Sequence, residues 1–100
     1  MREIHLARLD KVRPCLVLTR EAVRPYRTEV TVAGITANVR GRTTEIAVRA
    51  ENGIDLASVI NMDDIQTISV DDLIRLLGVF PADREHELTE ALVAAFDLDL

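Results

Sequence analysis

The residues of this chain best suited to chemistry are an arginine and a threonine at the ends of two predicted strands. Arg13 directly precedes Pro14 at the start of an apolar run, and a proline holds the preceding residue in an extended conformation. Thr36 follows Ile35, where a β-like segment runs out into a polar, basic loop. A guanidinium and a hydroxyl on adjacent strand ends could bind two oxygens of one phosphate. The simpler interpretations are a surface arginine at Arg13 and a hydroxyl bonded to local backbone at Thr36.

Hydrophobic periodicity predicts the elements that must position these two side chains. Residues 15–18 are an unbroken apolar run in a strand predicted over 12–19, which indicates burial on both faces. Gly34, inside the strand predicted over 28–35, indicates a bulge or a close approach of backbone. The Asn52-Gly53 pair is the strongest turn signal. Other strands are predicted over residues 2–9, 43–49, 58–62, 65–69 and 73–79, with a short helical turn at 70–72.

The last segment changes to a helical period. Leu88, Ala91, Leu92, Ala95 and Phe96 form one apolar stripe, and Pro81 before them suits a first helical turn. Five or six short strands followed by one helix predict a mainly β (α+β) fold, a small barrel or half-open roll with a helical cap. The length of 100 residues predicts a single domain, 1–100.

Charge is distributed unevenly along the chain. The first fifty residues carry ten cationic and five anionic side chains, and the last fifty carry two and twelve, which gives net charges of +5 and −10. Eleven of the twelve cations are arginine, the better bidentate phosphate ligand. The basic front half therefore suggests a phosphate-binding surface, although a solvated face would have the same composition.

Several other classes of site are disfavoured. His5 and His86 have no partners at metal-ligand spacing, so we expect no metal site and no cofactor. Cys15 is the only cysteine and lies in the apolar run, as expected of a buried structural thiol in a reducing compartment. No segment has the length of a membrane span or the pattern of a signal peptide, so we expect a cytoplasmic protein that does not bind membranes.

With these motifs in place, the sequence resembles the MazF (PemK-like) toxins, endoribonucleases of bacterial toxin–antitoxin pairs. The combination of Arg13-Pro14, Ile35-Thr36 and the strand from Val59 to Asp63 is specific, although each motif alone is weak. The matching segments are 3–10, 12–19, 32–41, 43–46, 58–68 and 90–92.

The resemblance implies a fold, an activity and partners. The fold is an SH3-like barrel with a C-terminal helix, acting as a homodimer. The activity is metal-independent cleavage of single-stranded RNA, with Arg13 and Thr36 as catalytic residues and Asp63 at the position of an aspartate that some members use. We also expect a cognate antitoxin whose acidic, disordered tail lies across the basic groove.

This chain departs from the family at three places. The glutamate-containing loop between the first two strands is absent, and Arg8 stands five residues before Arg13. Asn61 stands where some members have arginine, and Gln66 stands where many members have arginine. The base is therefore open between Asp10 and Asp63, with His5 as an outside candidate.

The remaining polar residues near the motifs are predicted to bind RNA. Lys11, Arg40 and Arg42 would contact phosphates, and Asn38, Asn61 and Gln66 would read base edges. Two alternatives stay open, a non-catalytic toxin of the CcdB type on the same fold and a folded but inactive relative. The chain lacks the tryptophan near the C-terminus that the CcdB mode uses.

Overall fold

The computed structural model describes residues 1–99 as one antiparallel sheet followed by a helix. The strands are β1 (Arg2–Arg8), β2 (Val12–Val17), β3 (Glu29–Thr36), β4 (Glu45–Val48), β5 (Ser58–Ser69) and β6 (Leu73–Phe80), and the helix is α1 (Glu85–Phe96). The order across the sheet is β4-β5-β3-β2-β1-β6. All neighbouring strands are antiparallel. The predicted mainly β fold with a terminal helix is confirmed.

The strand β2 is buried on both faces over residues 15–17, as its apolar run predicted. Leu16 belongs to the larger hydrophobic cluster, together with residues of α1. Cys15 and Val17 point the other way into a second cluster, because successive side chains alternate across a strand. Polar groups at the end of this strand are therefore held on a rigid support.

The helix α1 covers the larger cluster with only part of its predicted stripe. Leu88 and Ala91 are buried, whereas Phe96 is 56% exposed. The prediction was wrong for Phe96, because the helix ends there and Asp97 adopts a left-handed φ of 52°. The helix therefore covers the core with the earlier residues of the stripe and leaves its last residue exposed.

Contacts between the predicted Asn52-Gly53 turn and β6 curl the sheet into a half-barrel. Gly53 has a φ of +82°, and the Asn52 side-chain amide donates to the Val79 carbonyl at 3.1 Å. A Cβ on Gly78 would lie 2.2 Å from the Asn52 carbonyl oxygen, so the two backbones touch. This turn follows the edge strand β4, and β6 is the opposite edge, so the contact brings the two edges together.

One continuous strand, β5, replaces the two short strands predicted around Asp63-Asp64. The acidic pair nevertheless lies at an irregularity, because Ile35 pairs with Ile60 while Ala33 pairs with Ile65. Residues 61–64 of β5 therefore lie opposite the single Gly34 of β3. The strand continues through this offset because β4 pairs with residues 58–61 on its other side.

Candidate functional site

Arg13 and Thr36 lie opposite each other at neighbouring ends of β2 and β3. The pairing between these strands extends as far as Cys15 and Gly34. Two residues further along, toward the start of β2 and the end of β3, the same antiparallel register brings Arg13 opposite Thr36. Both residues line two adjoining cavities. The pair that the sequence motifs singled out is thus brought together by strand register.

The two cavities differ in character. A polar cavity of about 290 Å³ is lined by Asp10, Lys11, Arg13, Thr36, Asn38, Arg40, Glu45 and Asn61. A second cavity of about 460 Å³, the apolar cavity, also includes Lys11, Arg13 and Thr36, and its other walls include Leu6, Pro14, Ile35, Ile54, Leu56 and Leu77. A ligand with an anionic group and an apolar group could therefore occupy both sides of Arg13.

Two carboxylates hold the Arg13 guanidinium. Its Nε donates to Asp10 Oδ1 at 2.8 Å and its Nη2 donates to Asp64 Oδ2 at 2.5 Å. Burial lowers the pKa of Arg13, but the hydrogen bonds to Asp64 and Asp10 outweigh it and hold that pKa above its ordinary value. The bond from Arg13 in turn lowers the pKa of the Asp10 carboxyl. Arg13 is thus a fixed cation and a poor proton donor.

The Thr36 hydroxyl is oriented by its own loop. Its Oγ1 accepts the backbone N–H of Asn38 at 3.1 Å, the local bond expected of a threonine at a strand end. That bond uses an acceptor site of the hydroxyl and leaves its proton available to a ligand. The structural and functional interpretations of Thr36 are therefore compatible.

Asp63 lies apart from Arg13. Its Oδ2 accepts the Thr44 hydroxyl at 2.7 Å, and its N–H donates to Asn61 Oδ1 at 2.9 Å. It does not line the polar cavity, whereas Asn61 does. The neighbouring Asp64 takes the place beside Arg13, because the side chains of successive strand residues point to opposite faces.

The predicted RNA-binding residues divide into two groups. Lys11, Asn38 and Arg40 line the polar cavity together with Asn61. Arg42 is exposed outside both cavities. Gln66 donates its side-chain amide to Asp64 Oδ1 at 3.3 Å, so it contacts the partner of Arg13 and lines neither cavity.

The remaining candidates lie elsewhere. His5 Nε2 bonds Glu3 Oε1 at 2.8 Å, and Arg24 donates to the same carboxylate oxygen at 2.9 Å. Cys15 is fully buried, and burial raises the pKa of its thiol to about 11. Within residues 1–99, no three His, Cys, Asp or Glu side chains are grouped so that they could hold a metal ion. No helix in that range is long and apolar enough to span a membrane.

Sequence reasoning missed three features of the site. The sequence pattern did not single out Asp64, although Gly34 indicates a close approach of backbone in the facing strand. The Glu45 carboxylate accepts the backbone N–H groups of residues 40–42 at 2.8 to 3.2 Å and so holds the basic loop in place. No local sequence pattern indicates the apolar cavity, because its lining residues come from distant parts of the chain.

Comparison with known proteins identifies the family. A family model described as "PemK-like, MazF-like toxin of type II toxin-antitoxin system" matches residues 3–96. Endoribonuclease MazF3 of Mycobacterium tuberculosis is 56% identical over 99 residues, which cover 99% of this chain and 96% of that protein.

Solved structures agree with that match. The Mycobacterium tuberculosis toxin MazF-mt6 superposes with a TM-score of 0.96 at 55% identity, covering 99% of this chain and all of that chain. A mycobacterial endoribonuclease solved in complex with its cognate antitoxin shares the fold, with a TM-score of 0.85 at 22% identity, over 98% of this chain and 94% of that one. These matches give no support to the CcdB-type alternative. The chain belongs to the PemK-like, MazF-like toxins of type II toxin–antitoxin systems.

Proposed function

We propose that this protein is the toxin of a toxin–antitoxin pair and an endoribonuclease that cleaves single-stranded RNA without a metal ion. Its membership of the MazF-like family and its identity with a protein named endoribonuclease support the activity. The observation that carries the assignment of the site is the juxtaposition of Arg13 and Thr36 at a cavity that Lys11 and Arg40 also line. Such a cavity is suited to a phosphodiester.

The chemistry needs little from the protein, because RNA carries its own nucleophile. The 2′-oxygen loses its proton and attacks the adjacent phosphorus in line, and the bond from phosphorus to the 5′-oxygen breaks. The departing 5′-oxygen takes a proton from solvent water, so the products are a 2′,3′-cyclic phosphate and a 5′-hydroxyl. Arg13 stabilises the charge on the phosphorane oxygens and stays protonated throughout, since its pKa is raised. The Thr36 hydroxyl donates to a phosphate oxygen. We assign the role of base, which accepts the 2′-hydroxyl proton, to Asp10, because Asp10 lines the polar cavity and Asp63 does not.

The rest of the RNA strand binds in and around the two cavities. Lys11 and Arg40 contact flanking phosphates, and Arg42 extends this basic path outside the polar cavity. Asn38 and Asn61 contact base edges, which single-stranded RNA leaves open. The apolar cavity takes the face of one unstacked base.

Partners and location follow from this activity. The single domain, residues 1–100, acts in the cytoplasm as a homodimer, and an antitoxin with an acidic, disordered tail inhibits it. The solved mycobacterial relative in complex with its antitoxin supports the partner. The surplus of positive charge in residues 1–50 supports an acidic tail as the ligand.

The first test replaces Arg13. Arg13→Ala should abolish cleavage by the purified protein and leave the thermal midpoint nearly unchanged. Arg13→Lys should restore little, because a point charge cannot reproduce the planar fork. Arg27→Ala is the matched control, since this exposed arginine lines neither cavity and its loss changes the net charge equally. Normal cleavage by Arg13→Ala would refute the assignment.

A second measurement concerns the chemical mechanism. Cleavage should persist in excess EDTA and leave 2′,3′-cyclic phosphate ends. The 2′-hydroxyl supplies the nucleophile, and Arg13 supplies the positive charge that a metal ion would otherwise supply. Sequencing of the 5′-hydroxyl ends would also identify the cleavage motif. A requirement for magnesium would contradict the mechanism.

A further inference from the structure

Asp64 reaches Arg13 across an intervening strand. Arg13 lies on β2 and Asp64 on β5, and β3 separates these strands in the sheet. The two side chains meet above Gly34, where a Cβ would lie 2.2 Å from Asp64 Oδ2 and 2.7 Å from Arg13 Nη1. Any residue with a side chain at this position would therefore occupy the space that the ion pair fills.

The offset in the sheet places Asp64 at this position. On the side of β3, residues 61–64 of β5 lie opposite the single residue Gly34. The backbone of β5 therefore carries three more residues here than regular pairing with β3 would allow. Irregular pairing of this kind bends a strand and redirects its side chains, and it is frequent next to active sites. The side chain of Asp64 is 30% exposed and that of Arg13 is 17% exposed, so the pair is partly shielded from water.

The two carboxylates together fix the plane of the guanidinium. Asp10 accepts Nε–H and Asp64 accepts from Nη2, which uses two of the five N–H donors of Arg13. Gln66 donates to the other oxygen of Asp64 and so orients that carboxylate. The donors of Nη1 and the second donor of Nη2 remain for a phosphate, and they form the end-on edge of the fork.

We propose that Asp64 is a positioning residue for catalysis, which holds the Arg13 fork across Gly34 toward the scissile phosphate. This inference rests on the proposed function, in which Arg13 stabilises the phosphorane. Asp64 itself makes no contact with RNA. Its role is to fix the fork before the substrate arrives, so that the donors do not have to reorganise in the transition state.

The same carboxylate opposes binding of the substrate. The charged groups in and behind the polar cavity are three cations and three carboxylates, namely Lys11, Arg13 and Arg40 with Asp10, Glu45 and Asp64. Removal of the Asp64 charge gives this group a net positive charge, so a phosphate should bind more tightly. A positioning role therefore predicts opposite changes in the two quantities: turnover falls while affinity rises.

The experiment compares Asp64→Asn and Asp64→Ala with a control variant. Glu87→Gln is the matched control, because Glu87 pairs with Arg84 at 2.6 Å, is 33% exposed and lies on α1, outside both cavities. Turnover is measured on an RNA oligonucleotide that carries the mapped motif. Affinity is measured on the same oligonucleotide with a 2′-deoxy nucleotide at the scissile position, which cannot be cleaved.

We expect Asp64→Ala to lower kcat by about ten- to a hundredfold, the effect of displacing a catalytic group by roughly 1 Å. Asp64→Asn should lose less, because its amide oxygen can still accept from Nη2. Both variants should bind the deoxy analogue about two- to fivefold more tightly at low salt, with the gain fading as salt rises. Glu87→Gln should match the wild type in both measurements.

Two results would overturn the inference, namely wild-type kcat in folded Asp64→Ala, or a lower kcat accompanied by weaker binding of the deoxy analogue, which would mean that Asp64 contributes to RNA binding. Arg13→Ala, run in parallel, separates this inference from the proposed function. If Arg13→Ala cleaves normally, the proposed function fails. If it is inactive while both Asp64 variants turn over normally, only the positioning role of Asp64 fails.

Discussion

A single methyl group at Gly34 should slow cleavage by up to about a hundredfold and leave the fold intact. In Gly34→Ala the new Cβ would meet Asp64 Oδ2 at 2.2 Å, Arg13 Nη1 at 2.7 Å and Arg13 Cζ at 3.1 Å. Ordinary contacts between such atoms are about 3.5 Å, so each end of the ion pair must withdraw by roughly 1 Å. The backbone itself can accept alanine, since the positive-φ glycines are Gly41 and Gly53.

The expected cost differs between stability and activity. The atoms that must move are the ends of two flexible, partly exposed side chains, and such an ion pair contributes about 0.2–1 kcal/mol to stability. Replacement of a glycine in a compatible conformation stabilises by about 0.4–1 kcal/mol, so the two terms nearly cancel. For catalysis, a displacement of about 1 Å costs up to about a hundredfold in rate, or about 2.7 kcal/mol of transition-state stabilisation.

The assay combines urea unfolding with single-turnover cleavage. Gly78→Ala is a useful contrast, because its Cβ would meet the Asn52 backbone oxygen at 2.2 Å, and backbone cannot withdraw as a side chain can. That variant should lose stability, whereas Gly34→Ala should lose activity at nearly constant stability. Wild-type turnover in folded Gly34→Ala would refute the reasoning, because it would mean that the position of the Arg13 fork does not limit the rate.

Three further measurements test other parts of the structure. The hydrogen bond from Arg2 lowers the pKa of Glu85 below its ordinary 4.5, so this pair stabilises the fold above that pH and its contribution is lost as the pH falls through the lower, folded value. Glu85→Gln should therefore lower the free energy of unfolding, measured in urea at pH 7, by less than about 1 kcal/mol, because the pair is so exposed, and should flatten the loss of stability below about pH 4.5; an unchanged acid profile would contradict this. Cys15 should resist alkylation at pH 8 in the folded protein and react once urea is added, because it is fully buried and its pKa is about 11; rapid labelling of the native protein would contradict its burial. The antitoxin tail and the 2′-deoxy RNA analogue should compete in a titration, because both need Lys11 and Arg40, and simultaneous binding at full affinity would show separate surfaces.

The sequence by itself predicted most of the elements and singled out Arg13 and Thr36. The apolar run at 15–18 predicted a strand buried on both faces, and β2 is buried in this way over residues 15–17. The stripe from Leu88 predicted α1, since a helix of 3.6 residues per turn needs that spacing to cover a core. Arg13 and Thr36 stood out because each ends a strand, which is a property of local sequence.

Only the tertiary structure decided which carboxylate meets Arg13. Asp63 and Asp64 are adjacent and chemically alike, and their sequence surroundings do not indicate which one bonds Arg13. Which carboxylate bonds Arg13 depends on the pairing of β5 with β3 on one side and with β4 on the other. The offset opposite Gly34 lets β5 pair with both strands. In a strand a shift of one residue reverses the face of every side chain, so Asp63 bonds Thr44 and Asp64 bonds Arg13. Such a register is set by contacts between residues far apart in the chain, and no local pattern encodes it.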